Sequence, residues 1–305
     1  MPTLLDYRRR VRSVKNTQQI TRAMKFVAAA KLRRAQEALL AARPYAYQIR
    51  RMLRSVQARV EGAPHPLLER RSEQKILALV LTGDRSLAGA FNTNVIRRAL
   101  EFLREMESKQ VEVIAVGHKG RDALKKRGLN MVGEYLDVSQ KVEFAKAKEI
   151  ATQAAEIYTS GAADAVYVVY NEFKNVMVQQ LQVEKLLPIE PPAHPEEDMG
   201  AQGGGESLPH EVAASGANLV DYIYEQPPEE IFAALVPRYL QSEIFRVLLE
   251  SATAEHAARM MAMESATNNA ADLIDKLTLE MNKIRQAGIT KEIIEIVSGA
   301  SYTAN

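Results

Sequence analysis

Cysteine is missing from all 305 residues, which excludes disulfides, thiolate metal centres and thiol redox control. The five histidines, His65, His118, His194, His210 and His256, show no metal-ligand spacing. No stretch approaches the roughly 18 apolar residues that cross a bilayer. The start, Met1 to Asp6, has no apolar signal region. The expectation is a soluble chain that meets any membrane through partners. Acids are scarce in one place only. Residues 1 to 60 hold fifteen Lys and Arg against Asp6 and Glu37, while the rest of the chain has eleven more acids than bases. A basic arm on an acidic body expects an acidic partner: nucleic acid, an anionic membrane surface or an acidic protein collar.

The arm carries a regular pattern. Ala28, Leu32, Ala35, Leu39, Ala42, Ala46, Ile49, Leu53, Val56 and Val60 recur at alternating spacings of four and three. Such a seam faces a partner helix along a left-handed supercoil. Ala270, Ile274, Leu277, Met281 and Ile284 repeat the spacing near the other end of the chain. Two such helices predict one antiparallel coiled coil built from both termini. The first helix, Thr3 to about Val60, would span roughly 80 Å at ~1.5 Å per residue, with a bend at Pro44. The second runs from Pro228 to about Ser298, with a bend at Pro237 and a weak point at Gly288.

Between them the period changes. The buried run Lys75 to Leu81, the run Val111 to Val116, Ala165 to Tyr170 and Val176 to Leu186 read as strands. Asn92 to Glu107, His118 to Arg127 and Lys141 to Thr159 read as helices. Alternation of the two predicts a small Rossmann-like α/β domain with a mainly parallel sheet and an antiparallel last pair. Residues 188 to 217, rich in proline, glycine and acid, read as an exposed loop. The expected division is a shaft helix over 1–61, the α/β domain over 62–227 and a second shaft helix over 228–305.

The string Thr82 to Asn92 follows the first strand, where doubly wound folds bind phosphates. It has neither the dinucleotide fingerprint nor the P-loop spacing, and Ser86 is not in a nucleophile elbow. A tight turn or a protein-contact loop is the expectation. No carboxylate pair or triad stands out, and Met260, Met261 and Met263 read as adaptable coil packing. Two alternatives stay open on residues alone: a basic coiled-coil nucleic-acid binder, and a Rossmann-like nucleotide-binding enzyme. Against the first, the charges run along the seam's own heptads, with little aromatic residue to stack bases.

The string Tyr7 to Thr17, then Ile20 to Lys25 and Ala28 to Leu32, resembles the gamma subunits of F-type ATP synthases. So do Asn282 to Ala300, the Gly83-Asp84-Arg85 loop and Ser251 to Met263. The resemblance covers nearly the whole chain. It implies a non-catalytic central rotor, without cofactor, inside a hexamer of alpha and beta subunits. The foot would bind the epsilon subunit and rest on the membrane ring of c subunits, with no nucleic acid involved. The implied place is the cytoplasmic face of a bacterial plasma membrane. Met24 and Lys25 match the segment passing the beta-subunit lever, Arg285, Gln286 and Thr290 the contacts to its catch loop, and Arg259 a coil support. Tyr222, Tyr224 and Glu225 match the foot, and Asp84 and Arg85 a partner-contact loop.

Overall fold

The computed structural model describes residues 3–57, 65–189 and 225–303, the last six by backbone alone. Two terminal helices, α1 (Leu4–Gln57) and the final α5 (Pro228–Thr303), enclose an α/β segment in the chain. That segment comprises β1 (Lys75–Leu81), α2 (Phe91–Glu105), β2 (Gln110–Val116), α3 (His118–Lys125) and β3 (Met131–Tyr135). It continues with α4 (Phe144–Thr159), β4 (Ala165–Phe173) and β5 (Gln179–Leu187). Both long helices continue through their internal prolines, Pro44 and Pro237. The chain divides into two compact units. One comprises residues 1–29 and 259–305, the other 30–258.

In the larger unit the five strands lie in the order β3-β2-β1-β4-β5. The first four are parallel, and β5 runs antiparallel to β4. Period two sorts β1 between two layers. Ile76, Ala78 and Val80 pack with Val95, Ala99 and Phe102 of α2 and Leu124 of α3. Leu77, Leu79 and Leu81 face the opposite way, against Ala147, Ile150, Ala151 and Ala154 of α4. That second layer also takes Ile49, Leu53 and Val56 of α1 and Val236, Leu240 and Ile244 of α5. A continuous apolar strand is thus covered on both faces, as a parallel sheet requires.

The structure corrects the sequence expectation at several places; β4 runs on to Phe173, and α2 and α3 end two residues early, at Glu105 and Lys125. β3 was not expected. It is an edge strand with Gly133 at its centre, where an added Cβ would stand 2.7 Å from the Gln153 amide oxygen. β5 begins at Gln179 rather than Val176, because the Asn175 side chain accepts from the backbone N–H of Met177 and Val178 and folds them into the turn. α4 begins at Phe144, not Lys141. Val60, His194 and His210 lie outside the described residues, as does the acidic loop apart from Pro188 and Ile189.

A buried guanidinium joins α5 to the sheet. Arg246 donates to both oxygens of Glu184 on β5 at 2.8 Å, to Glu243 at 2.8 Å and to Glu250 at 3.2 Å. Arg50 of α1 donates to the other oxygen of Glu243 at 2.8 Å. Burial opposes ionisation of Glu243, yet the two guanidiniums hold its carboxyl below the usual carboxylate range.

The crossing from β2 to α3 depends on Gly117. Its φ is +91°, and an added Cβ would meet the Thr82 carbonyl oxygen at 2.2 Å. Gly117→Ala is therefore expected to lower stability by more than ~1 kcal/mol, measured as a fall in the denaturant midpoint of the full chain.

Candidate functional site

In the smaller unit the two helix segments run antiparallel, since Tyr7 bonds to Glu280, Thr21 to Thr267 and Lys25 to Glu264. The seam continues below Ala28 through Lys25, Thr21, Gln18, Val14, Val11, Tyr7 and Leu4, all less exposed than their neighbours facing outward. Polar members bond across it. The two threonine hydroxyls are 2.8 Å apart, and the Gln18 amide donates to the Thr267 carbonyl at 3.5 Å. The Lys25 ammonium pairs with Glu264 at 2.6 Å. Hydropathy spacing missed these positions because hydroxyl and amide groups break an apolar pattern without breaking its period.

The smaller unit also holds most of the residues implied as contacts. Met24 and Arg259 are half-buried, and Lys25 is held by Glu264. Arg285, Gln286 and Thr290 are exposed, as is every α5 residue from 285 to 297. Ile289, Ile293, Ile294, Ile296 and Val297 are each at least half exposed there. Glu225, in the larger unit, is exposed, while Tyr222 and Tyr224 lie outside the described residues.

The loop after β1 is built inward. Asp84 is buried, and its Oδ1 accepts from the backbone N–H of His118 and Asp137, at 3.2 and 3.0 Å. Its Oδ2 accepts from the N–H and hydroxyl of Ser139, at 3.2 and 2.9 Å. Asp84, expected at a partner contact, thus turns its carboxylate to internal donors, and the exposed member of the pair is Arg85, which reaches Gln140. α5 crosses here, so that a Cβ added at Gly83 would stand 2.7 Å from the Glu255 carboxyl carbon. Ala88 and Phe91 pack on Ala254 of the same helix.

This arrangement bears on nucleotide binding. The helix that follows the β1 loop, where doubly wound folds hold phosphate, is α2. There the Asn92 side chain accepts from the Gly83 N–H at 2.8 Å and donates to the Arg85 carbonyl at 3.3 Å, while Asp84 accepts from the His118 N–H at the start of α3. The Glu255 carboxylate adds a second negative group beside Gly83. Asp84, His118 and Asp137 bring ligand atoms within 4.8 Å of one another. Four donors already engage the Asp84 oxygens, so the cluster reads as loop closure. No helix among the described residues is long and apolar enough to cross a membrane.

Comparison with known proteins decides the family. The model described as ATP synthase matches residues 3–302. The ATP synthase gamma chain of Solibacter usitatus is 50% identical over 305 residues and 99% of both chains. This chain belongs to the ATP synthase gamma chain family. A second gamma chain, from Pelotomaculum thermopropionicum, is 47% identical, again over 99% of both chains. Among solved structures, a chain of the Euglena gracilis mitochondrial ATP synthase in an assembly described as OSCP/F1/c-ring shares the fold. Its TM-score is 0.63 at 22% identity, over 98% of this chain and 94% of that one. A chain from the same organism's rotor gives 0.61 at 22% identity, over 94% and 98%. The coiled coil with an α/β domain expected from the sequence is thus the gamma-chain fold.

Two outcomes follow. The double variant Thr21→Cys with Thr267→Cys should oxidise to an intramolecular disulfide seen as a reducible gel shift, with no other cysteine to compete. Intermolecular dimers alone would contradict the pairing within one chain. Calorimetry of the full chain with ATP should show no micromolar binding, since the β1 loop lacks the P-loop and dinucleotide spacings and is tied internally by Asn92 and Asp84.

Proposed function

We infer that this gamma chain is the rotor shaft of an F-type ATP synthase, turning within a hexamer of alpha and beta subunits and carrying no bond chemistry itself. The observation that carries the reading is kinship over the full length, at half the residues identical, with a protein named as a gamma chain. The solved neighbours support the wider assembly, being described as parts of a rotor and of an F1 with a c-ring. On this reading the foot meets the epsilon subunit and the c-ring, with Tyr222, Tyr224 and Glu225 as contacts. The complex sits at the cytoplasmic face of a bacterial plasma membrane, held there by partners.

The chemistry of the surface suits this work. The first 60 residues carry fifteen Lys and Arg against two acids, a positive bias that suits an acidic collar, although Lys25 and Arg50 are paired within the chain. A shaft of two unlike helices has no threefold symmetry, so each beta subunit meets a different face. Shifting one subunit from 1:99 to 99:1 between two states takes about 5.5 kcal/mol of differential contact. Linkage makes that coupling reciprocal: nucleotide occupancy drives rotor angle as rotor angle drives occupancy. Met24, Lys25, Arg85, Arg285, Gln286 and Thr290 are the proposed contacts, with Arg259 supporting the coil. Asp84 acts on the loop contact through the conformation it holds.

Arg285→Ala with Gln286→Ala tests the assignment. Both side chains are exposed, so the variant should melt like wild type while the assembled complex turns over ATP several-fold more slowly. Unchanged turnover and coupling would remove these two residues from the mechanism.

A further inference from the structure

Where the chain passes from α1 towards β1, one histidine is bonded on both sides of its ring. His65 precedes Pro66, which holds it extended at φ −107° and ψ 129°. In that conformation its side chain caps the short turn Pro66–Leu68, with Nδ1 accepting from the backbone N–H of Leu67 at 3.2 Å. The ring also bonds to the backbone of Ala233 on α5, and Phe232 meets it edge to face at 6.3 Å. An acceptor at Nδ1 leaves the ring proton on Nε2, so the neutral form fits both neighbours.

More than the turn depends on this cap. Leu67 is buried in a cluster with Leu187, Ile189, Phe232 and Val236, and its carbonyl accepts from the N–H of Ile189 at 2.9 Å. Ile189 stands just beyond the end of β5, and from there the chain leads to the segment with the proposed foot contacts. A proton added at Nδ1 sets one donor against another, the Leu67 N–H, and the cap is lost. Nε2 still donates to Ala233, so the change falls on the turn. Burial disfavours the charged ring and outweighs the Ala233 bond, which favours it, so the ring titrates below the usual histidine value. Among the described residues no charged group acts on it. Glu69, beyond the turn, is paired with Arg71 at 2.6 Å, and Glu229 and Glu230 at the start of α5 are exposed.

We propose that His65 is a proton-operated latch at the base of the sheet: neutral, it caps the turn and so holds Ile189; protonated, it releases both. In the released form the ring is an ordinary histidine and takes up a proton more readily. Falling pH through about 6.5 therefore favours release, and rising pH restores the hold. The latch does not rest on the rotor reading.

The test is amide hydrogen exchange in the full chain at about pH 7.5 and about pH 5, on either side of the ordinary histidine value. Each rate is corrected for the pH dependence of free amides. In the wild type, Leu67 and Ile189 should lose about fivefold in protection at the lower pH, the factor that one hydrogen bond of ordinary strength gives. His65→Asn keeps a capping acceptor without a titrating group, so its protection should be the same at both pH values. His65→Ala should show the low protection at the higher pH already, with thermal melts reporting that both variants are folded. Nitrogen NMR of the wild-type imidazole should show a neutral ring protonated on Nε2 that titrates below the ordinary histidine value. Three results would each overturn the proposal: no loss of protection in the wild type, an equal loss in His65→Asn, or a His65 ring that titrates at or above the ordinary value.

Discussion

Arg246 is the residue on which the larger unit depends. A guanidinium out of water is costly unless charge and geometry both compensate. Here three carboxylates, from β5 and from α5 itself, surround it, and the Tyr170 hydroxyl lies within 3.3 Å. Glu243 is shared with Arg50, so one buried cluster ties α1, α5 and the sheet edge. Hydrophobic contact fixes how much of a helix is buried but tolerates sliding. A forked donor with fixed directions does not tolerate it. On the rotor reading proposed above the distinction matters, because twist applied to a helix reaches the sheet only through contacts that resist rotation.

Much of the fold was legible because it rests on periodicity. The four-three seam from Ala28 to Val56 and the unbroken apolar run of β1 announce a helix pair and a doubly covered strand. What stayed hidden has a common cause. Gln18, Thr21 and Lys25 keep the seam's spacing but not its hydropathy. β3 is a short edge strand interrupted by Gly133. Glu184, Glu243, Arg246 and Glu250 read as ordinary surface charge until the fold brings the strand beside the helix. Asp84 was singled out for its place in a family string, yet nothing in that string says that its carboxylate turns to His118 and Ser139.

The loop after β1 shows how a doubly wound sheet can be turned from one kind of work to another. The fold offers a strand end, a short loop and a helix N-terminus, which elsewhere receive a phosphate. In this chain Asn92 ties that loop to the first turn of α2, Asp84 reaches instead to the start of α3, and α5 lies across the loop with Glu255 against Gly83. Scaffold and site are separable: here the strand order carries a loop closed by its own side chains.

The far end of α5 has a consequence for how such a protein is made. From residue 285 to 297 every side chain of the helix is exposed, and Ile289, Ile293 and Ile296 lie at spacings that place them along one side. A newly synthesised copy therefore carries its own aggregation hazard, and on the rotor reading proposed above its supply must keep step with that of the subunits that enclose it. Surplus shafts would be removed as misfolded protein even though each had folded correctly.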